Sequence, residues 1–100
     1  MKRRWIIRPY VEDEIEEIAA WYDDRRPGLG DEFVDAITAA YADINLFPES
    51  GEAIEQEIRH HVLQRFPYAI YYAFLTDAVE VLKVVHHSRG DRVRNEKLDR

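Results

Sequence analysis

The chain has 100 residues, the size of one ordinary domain, so we expect a single domain over residues 1–100. Apolar residues make up 46% of the sequence and charged residues 34%, a globular composition that excludes a disordered chain. The sequence has no cysteine and no apolar run near the roughly 20 residues that span a bilayer, so we expect a cytoplasmic protein without disulfides, thiolate chemistry or a membrane partner.

The net charge of −6 is unevenly distributed along the chain. Residues 1–50 carry 6 basic and 12 acidic side chains, whereas residues 51–100 carry 8 of each. From Lys83 onward there are 6 basic and 3 acidic side chains, which gives an acidic body with a positive C-terminal end. A protein that binds mainly by neutralising phosphates is expected to be basic overall. The charge therefore argues against a general nucleic-acid binder.

The first half of the chain predicts one strand and two helices. Residues 3–8 mix aromatic and β-branched side chains and predict a strand, and residues 10–25 have helical apolar spacing, with Pro9 in the first turn. After a break at residues 26–30, a second apolar stripe recurs at intervals of 4, 3, 4 and 3 residues, at Phe33, Ile37, Ala40, Ile44 and Phe47. This helix should end before Pro48, because a proline disfavours the helical region for its predecessor. A short loop between two helices predicts an antiparallel hairpin.

The second half changes from helical to strand periodicity. Residues 57–64, 68–75 and 79–87 are rich in β-branched and aromatic side chains, and their close spacing predicts an antiparallel meander. Residues 88–100 form a polar, basic tail. The order β-α-α-β-β-β predicts an α+β fold in which the helical hairpin packs on one face of a small, mainly antiparallel sheet. The predicted core consists of Ile15, Ile18, Tyr22, Phe33, Ile37, Ile44, Ile70, Tyr72, Leu82 and Val84.

The histidines form two adjacent pairs, at residues 60–61 and 86–87, on predicted strands. Neighbouring side chains on a strand point to opposite faces, so each pair offers one ligand to any one site. A metal site with Glu57 or Glu80 is conceivable, but surface or partly buried histidines are the commoner case, and we predict neither a metal nor a cofactor. The two serines lie outside any G-x-S-x-G motif, and there is no glycine-rich phosphate loop.

Basic residues are the main candidates for binding another molecule. Four of them form the predicted target-binding set, namely Arg59, Arg89, Arg92 and Arg94. Aromatic side chains at residues 66–74, beside Arg59 and Arg65, are of the kind that stacks on nucleic-acid bases. An RNA target therefore stays open as an alternative to a protein target.

Four short motifs occur in an order typical of one family. Residues 47–51 read FPESG, and Ile58 and Arg59 open the predicted second strand. Residues 66–72 read FPYAIYY, similar to an F-P-Y-x-I-x-Y strand, and residues 84–89 read VVHHSR, similar to a V-x-H-x-x-R close. Together these motifs resemble the RelE/ParE superfamily, toxins of bacterial type II toxin–antitoxin systems that include plasmid stabilisation systems.

The resemblance implies two possible activities. RelE-like members cut messenger RNA on the ribosome with a cluster of basic residues, whereas ParE-like members bind and poison DNA gyrase. The arginine that commonly follows the third-strand tyrosine in RelE-like members is Ala69 here, which favours a ParE-like toxin without enzymatic activity, neutralised by a cognate antitoxin. A RelE-like nuclease would use the reduced set Arg59, Tyr72, His86 and Arg89. A degenerate member that only binds its antitoxin is the third alternative.

Overall fold

A computed structural model describes residues 3–87. It contains five strands and two long helices in the order β-α-α-β-β-β-β, with a 3₁₀ turn at Pro48–Ser50 after the second helix. The elements are β1 (Arg4–Ile7), α1 (Pro9–Arg25), α2 (Leu29–Leu46), β2 (Glu52–Glu55), β3 (Ile58–Val62), β4 (Tyr68–Phe74) and β5 (Ala78–His86). The strands form one sheet in the order β1-β5-β4-β3-β2.

The helical hairpin forms as the apolar spacing predicts, and its tight connection depends on two glycines. Gly28 adopts a left-handed φ of 90°, which glycine accommodates without steric cost, just before α2 begins. Gly30 is buried where α2 meets α1, and a side-chain carbon there would collide with the backbone oxygen of Ala19. The Gly30 backbone N–H also donates a 2.7 Å hydrogen bond to the Asp23 carboxylate, so α1 supplies the cap for the start of α2.

The sheet is mainly antiparallel, as predicted, and the hairpin packs on one of its faces. Only β1 runs parallel to its neighbour, pairing with Ala78–Val81 at the start of β5, whereas β2 to β5 form an antiparallel meander. Buried side chains from both helices and from the sheet form one core, made of Val11, Phe33, Ile37, Ala40, Ile44, Leu63, Phe66, Ile70, Tyr72, Val79, Val81 and Val84. The predicted α+β architecture is therefore confirmed.

Nine of the ten predicted core residues lie in or against this core, and Leu82 does not. Six are buried members of the core, and Ile15, Ile18 and Tyr22 are partly buried residues packed against it. Leu82 is an extra residue in β5, because Tyr71 pairs with Lys83 while Tyr72 pairs with Val81. Such a bulge shifts the alternation of side chains by one position. Strict alternation along β5 was therefore the wrong assumption, and the core-facing residues before the bulge are Val79 and Val81.

Among the strands and helices of residues 3–87, β2 is the one that the sequence did not predict. It spans Glu52–Glu55 at the edge of the sheet and pairs with β3 through Glu52, Ala53 and Glu55, and its one partly buried residue is Ile54. A short edge strand with exposed charges lacks the apolar alternation by which strands are recognised. In the part of the chain that the structure describes, no helix is both long and apolar enough to cross a membrane. The predicted basic tail at residues 88–100 lies outside the described residues.

Candidate functional site

Two of the predicted site residues, Arg59 and Tyr72, are direct neighbours across β3 and β4. The Tyr72 hydroxyl is buried and donates a 2.7 Å hydrogen bond to the backbone oxygen of Pro48. One Arg59 guanidinium nitrogen donates to the backbone oxygens of Glu49 and Gly51, at 3.0 and 2.8 Å. Together they hold residues 48–51, the segment that we call the 48–51 turn, against the sheet.

The geometry of the 48–51 turn leaves little space around the Tyr72 hydroxyl. Gly51 is buried, and a side-chain carbon there would collide with that hydroxyl and approach the backbone oxygen of His60 to 2.8 Å. Burial raises the pKa of Tyr72 above its ordinary value, although the Gly51 backbone and the Arg59 guanidinium lower it in part. A protonated, buried phenol that already donates to a carbonyl is suited to holding the turn in place.

His86, the third predicted catalytic residue among residues 3–87, lies at the other end of the sheet. It pairs with Tyr68, and the two rings meet edge to face at 5.0 Å between centroids. Tyr68 and Tyr72 are four residues apart on β4, so the two positions are about 13 Å apart along the strand. Arg59 and Tyr72 thus come together and His86 does not join them. Arg89, Arg92 and Arg94 lie outside the described residues.

The end of the sheet that carries His86 borders an open groove of about 520 Å³. We call it the Trp21 groove, and it is lined by Glu17, Ile18, Trp21, Tyr22, Pro67, Tyr68 and His86. Trp21 is 51% exposed, on a helix whose Val11, Ile15, Ile18 and Tyr22 belong to the core or pack against it. The Arg25 guanidinium carbon lies 3.6 Å from the centroid of the Trp21 ring. The groove is thus an aromatic surface between an acidic helix and the end of the sheet.

Glu32 on α2 forms two ion pairs with arginines outside that helix. The Glu32 carboxylate on α2 contacts Arg65 at 2.6 Å and Arg26 at 3.5 Å, and both guanidinium groups lower its pKa. Arg65 also lies 4.9 Å from the centroid of the Phe66 ring, which belongs to the core. The aromatic segment at residues 66–74, a candidate base-stacking surface, therefore starts with a buried ring, and Ile70, Tyr71 and Tyr72 are buried as well.

Histidines on the strands show no clustering that would bind a metal. Among residues 3–87 there is no group of three or more histidine, aspartate or glutamate side chains within reach of one ion. His60 instead contacts Glu52 on the neighbouring edge strand, at 2.9 Å between Nε2 and Oε1. Its ring meets Tyr71 edge to face at 5.3 Å between centroids.

The sequence matches the family model described as "ParE toxin of type II toxin-antitoxin system, parDE" over residues 6–90, which is most of the chain. The chain belongs to the ParE toxin family. A solved structure titled "Chromosomal ParDE TA system from P. aeruginosa" matches with a TM-score of 0.73 and 12% sequence identity, covering 84% of this chain and 95% of that chain. Comparison with curated protein sequences gives no match.

The family match confirms the ParE-like resemblance that the motifs predicted. At 12% sequence identity, the solved structure supports only the fold. The Trp21 groove was not predicted. Tyr22 belongs to the apolar stripe of α1, and Trp21 is its neighbour in the sequence. Because consecutive residues of a helix point in different directions, Trp21 lies off that stripe. A large aromatic side chain off the stripe, followed by Arg25 one helical turn later, was the signal available in the sequence.

Proposed function

We propose that this ParE-family protein inhibits DNA gyrase by binding it and that a cognate antitoxin neutralises it. The observation that carries the proposal is the family match over residues 6–90, together with the arrangement of the nuclease candidates. A metal-independent ribonuclease needs its acid, base and cation around one phosphate. Tyr72 and Arg59 instead hold the 48–51 turn, and His86 lies about 13 Å away along the sheet.

The charge distribution supports a protein target rather than free nucleic acid. Helix α1 carries seven acidic residues and one basic residue, so this face of the protein repels phosphates. The basic residues at the C-terminal end, Arg89, Arg92 and Arg94, are our proposed contacts for the target. We propose Arg59 as a further target contact because it lies beside the 48–51 turn. Its guanidinium already donates to two backbone oxygens of that turn.

The antitoxin is the second proposed partner. Several large apolar side chains are exposed among the described residues, namely Tyr10, Trp21, Val34, Leu46, Phe47, Val62 and Leu75. Exposed apolar surface favours a partner that covers it, and an extended or helical peptide segment does so efficiently. We propose that the antitoxin is encoded by the neighbouring reading frame.

Induced expression in bacteria tests the proposal directly. The protein is expressed with and without the neighbouring reading frame, and growth, DNA damage and translation are scored separately. We expect growth inhibition with DNA damage, relieved by the neighbouring frame, and inhibition of supercoiling when purified protein is added to purified gyrase. Codon-dependent cleavage of messenger RNA on translating ribosomes would support the nuclease instead, and harmless expression of folded protein would support an antitoxin-binding module.

Charge reversal at the C-terminal end tests which residues contact the target. We expect Arg89→Glu, Arg92→Glu and Arg94→Glu together to abolish growth inhibition, because a cationic cluster steers association with an acidic target. Circular dichroism and the denaturation midpoint serve as controls for folding. Full toxicity of the reversed variant at matched expression would remove these arginines from the target-binding surface.

A further inference from the structure

The Trp21 groove has the chemical composition of a site for a cation. Three of its lining residues, Trp21, Tyr22 and Tyr68, offer aromatic rings, and rings of this kind attract cations through the negative electrostatic potential of their faces. Glu17 is the acidic residue of the lining and lies one helical turn before Trp21. Aromatic rings and a carboxylate in one lining both stabilise a positive charge.

The helix that forms one wall of the groove favours the same sign of charge. Helix α1, which forms one wall, carries seven acidic residues and one basic residue. The protein as a whole has a net charge of −6. An anionic ligand would be repelled by Glu17, and a purely apolar side chain would remove Glu17 from water without giving it a partner.

Trp21 already takes part in one interaction of this kind, with a cation of its own helix. The Arg25 guanidinium carbon lies 3.6 Å from the centroid of the Trp21 ring, although Arg25 is not part of the groove lining. The indole therefore accepts a guanidinium at contact distance while remaining 51% exposed. A cation arriving from a partner chain would meet the part of the ring that stays exposed.

We propose that the Trp21 groove receives an arginine or lysine side chain from an extended segment of the antitoxin. The identity of the partner rests on the proposed function, whereas the preference for a cation rests on the lining of the groove. The side chain places its methylene groups against Trp21 and Pro67 and its charge beside Glu17. The groove volume of about 520 Å³ accommodates one long side chain with part of its backbone.

A binding experiment with defined peptides tests the groove without the antitoxin. The probes are blocked octapeptides of alternating glycine and arginine, with glycine–glutamine and glycine–methionine peptides of the same length for comparison. Binding to the full-length protein is followed by nuclear magnetic resonance, at the Trp21 indole and the Ile18 backbone amide. We expect the arginine peptide to shift both signals and to leave the Trp5 indole unchanged, with binding that weakens as salt rises above about 0.1 M.

Substitutions distinguish the groove from the general charge of the helix. Glu17→Gln should weaken binding of the arginine peptide by about two- to fivefold, as expected for an exposed ion pair. Glu16→Gln makes the same charge change at an exposed position outside the lining and serves as the matched control. Trp21→Ala should weaken binding by about two- to tenfold, measured at the Ile18 amide.

Several results would overturn the proposal. Equal binding of the glutamine or methionine peptide, or equal losses in the Glu17→Gln and Glu16→Gln variants, would mean that the groove does not select a cation. If Arg89→Gln, Arg92→Gln and Arg94→Gln together shift the Trp21 indole without peptide and tighten peptide binding, the chain's own end is the occupant. These measurements use purified protein, so their outcome does not depend on whether the protein inhibits growth.

If the peptide result is as expected, the antitoxin arm follows. A cognate antitoxin segment should bind more weakly to the Glu17→Gln and Trp21→Ala variants than to Glu16→Gln. Unchanged affinity for the antitoxin across all three variants would assign the groove to a different cationic partner and overturn this part of the proposal, while leaving neutralisation by the antitoxin as a separate question.

Discussion

Substituting Tyr72 by phenylalanine separates a structural role of the hydroxyl from a chemical one. The change removes one oxygen atom from a side chain that is otherwise fully buried, so packing of the ring is preserved. It deletes the 2.7 Å hydrogen bond to the backbone oxygen of Pro48 and leaves that oxygen without this donor. Loss of a buried hydrogen bond that leaves its acceptor unsatisfied costs about 1 to 3 kcal/mol.

The structure places the expected cost in the lower part of that range. Arg59 continues to donate to the backbone oxygens of Glu49 and Gly51, so the 48–51 turn keeps two of its hydrogen bonds to the sheet. We therefore expect Tyr72→Phe to lower the free energy of unfolding by about 1 to 2 kcal/mol. In a domain of this size each kcal/mol corresponds to about 4 to 8 °C in the midpoint of thermal unfolding.

Urea unfolding at pH 7 measures this cost, and Tyr10→Phe is the matched control. Tyr10 is 46% exposed and its hydroxyl interacts with Arg8 at the surface, so the same chemical change there should cost less than about 0.5 kcal/mol. The pH dependence gives a second measure. Because the folded-state pKa of Tyr72 is raised above 10.0, its contribution is present below pH 10 and is lost as the pH rises through the folded-state value. The difference between wild type and Tyr72→Phe should therefore narrow in strong alkali.

Two results would refute this account of Tyr72. An unchanged unfolding midpoint would mean that the hydroxyl does not stabilise the 48–51 turn. Loss of growth inhibition in a variant that is folded at the assay temperature would assign the hydroxyl a chemical role, and would favour the ribonuclease alternative if messenger RNA cleavage were lost with it.

Two further predictions concern the core and a partly buried carboxylate. Ile37→Ala should lower the free energy of unfolding by about 2 to 5 kcal/mol, because Ile37 is 3% exposed at the centre of the core, whereas Val34→Ala at an exposed position of the same helix should change it little. Burial raises the pKa of the Glu14 carboxyl above its ordinary value, although the hydrogen bond that it accepts from the Val84 N–H and the charge of Lys83 lower it in part. The contribution of Glu14 to the free energy of unfolding should therefore fall as the pH rises from about 4.5 through the folded-state pKa. In urea titrations, the Glu14→Gln variant should have a higher free energy of unfolding than wild type at pH 7 and a similar one at pH 4. An equal free energy of unfolding at pH 7 would contradict the raised pKa.

The helices and the central strands could be predicted because their apolar side chains repeat with the period of the element. Helix α2 shows this most clearly, since Phe33, Ile37 and Ile44 are buried at the predicted spacing. The prediction that Leu82 belongs to the core was wrong because side chains alternate along a strand only while every residue is paired. The apolar pattern of one strand does not show where a bulge interrupts that pairing. Strand β2 could not be predicted because the backbone of β3 stabilises this exposed edge strand more than its own side chains do.

Residue type alone could not predict the roles of the site residues. Arg59 and Tyr72 are the residue types that a ribonuclease needs, and their positions on neighbouring strands made a shared site reasonable. The structure brings them together as expected but turns both toward backbone oxygens of residues 48–51, which are distant in sequence from Tyr72. The Trp21 groove depends on how α1 lies against the ends of β4 and β5, and that relation follows from packing rather than from any one segment.

The two ends of the sheet differ in a way that makes stability and recognition separable. At one end Tyr72 and Arg59 donate hydrogen bonds to backbone oxygens of the 48–51 turn, so substitutions there should mainly lower the free energy of unfolding. At the other end Glu17 and Trp21 are exposed, and substitutions there remove little of the core. If the groove binds the antitoxin as proposed, Trp21→Ala should inhibit growth even when the antitoxin is present, without unfolding the protein. Tyr72→Phe should reduce stability but should still be neutralised by the antitoxin. Opposite behaviour of the two variants would mean that recognition takes place at the end closed by the 48–51 turn.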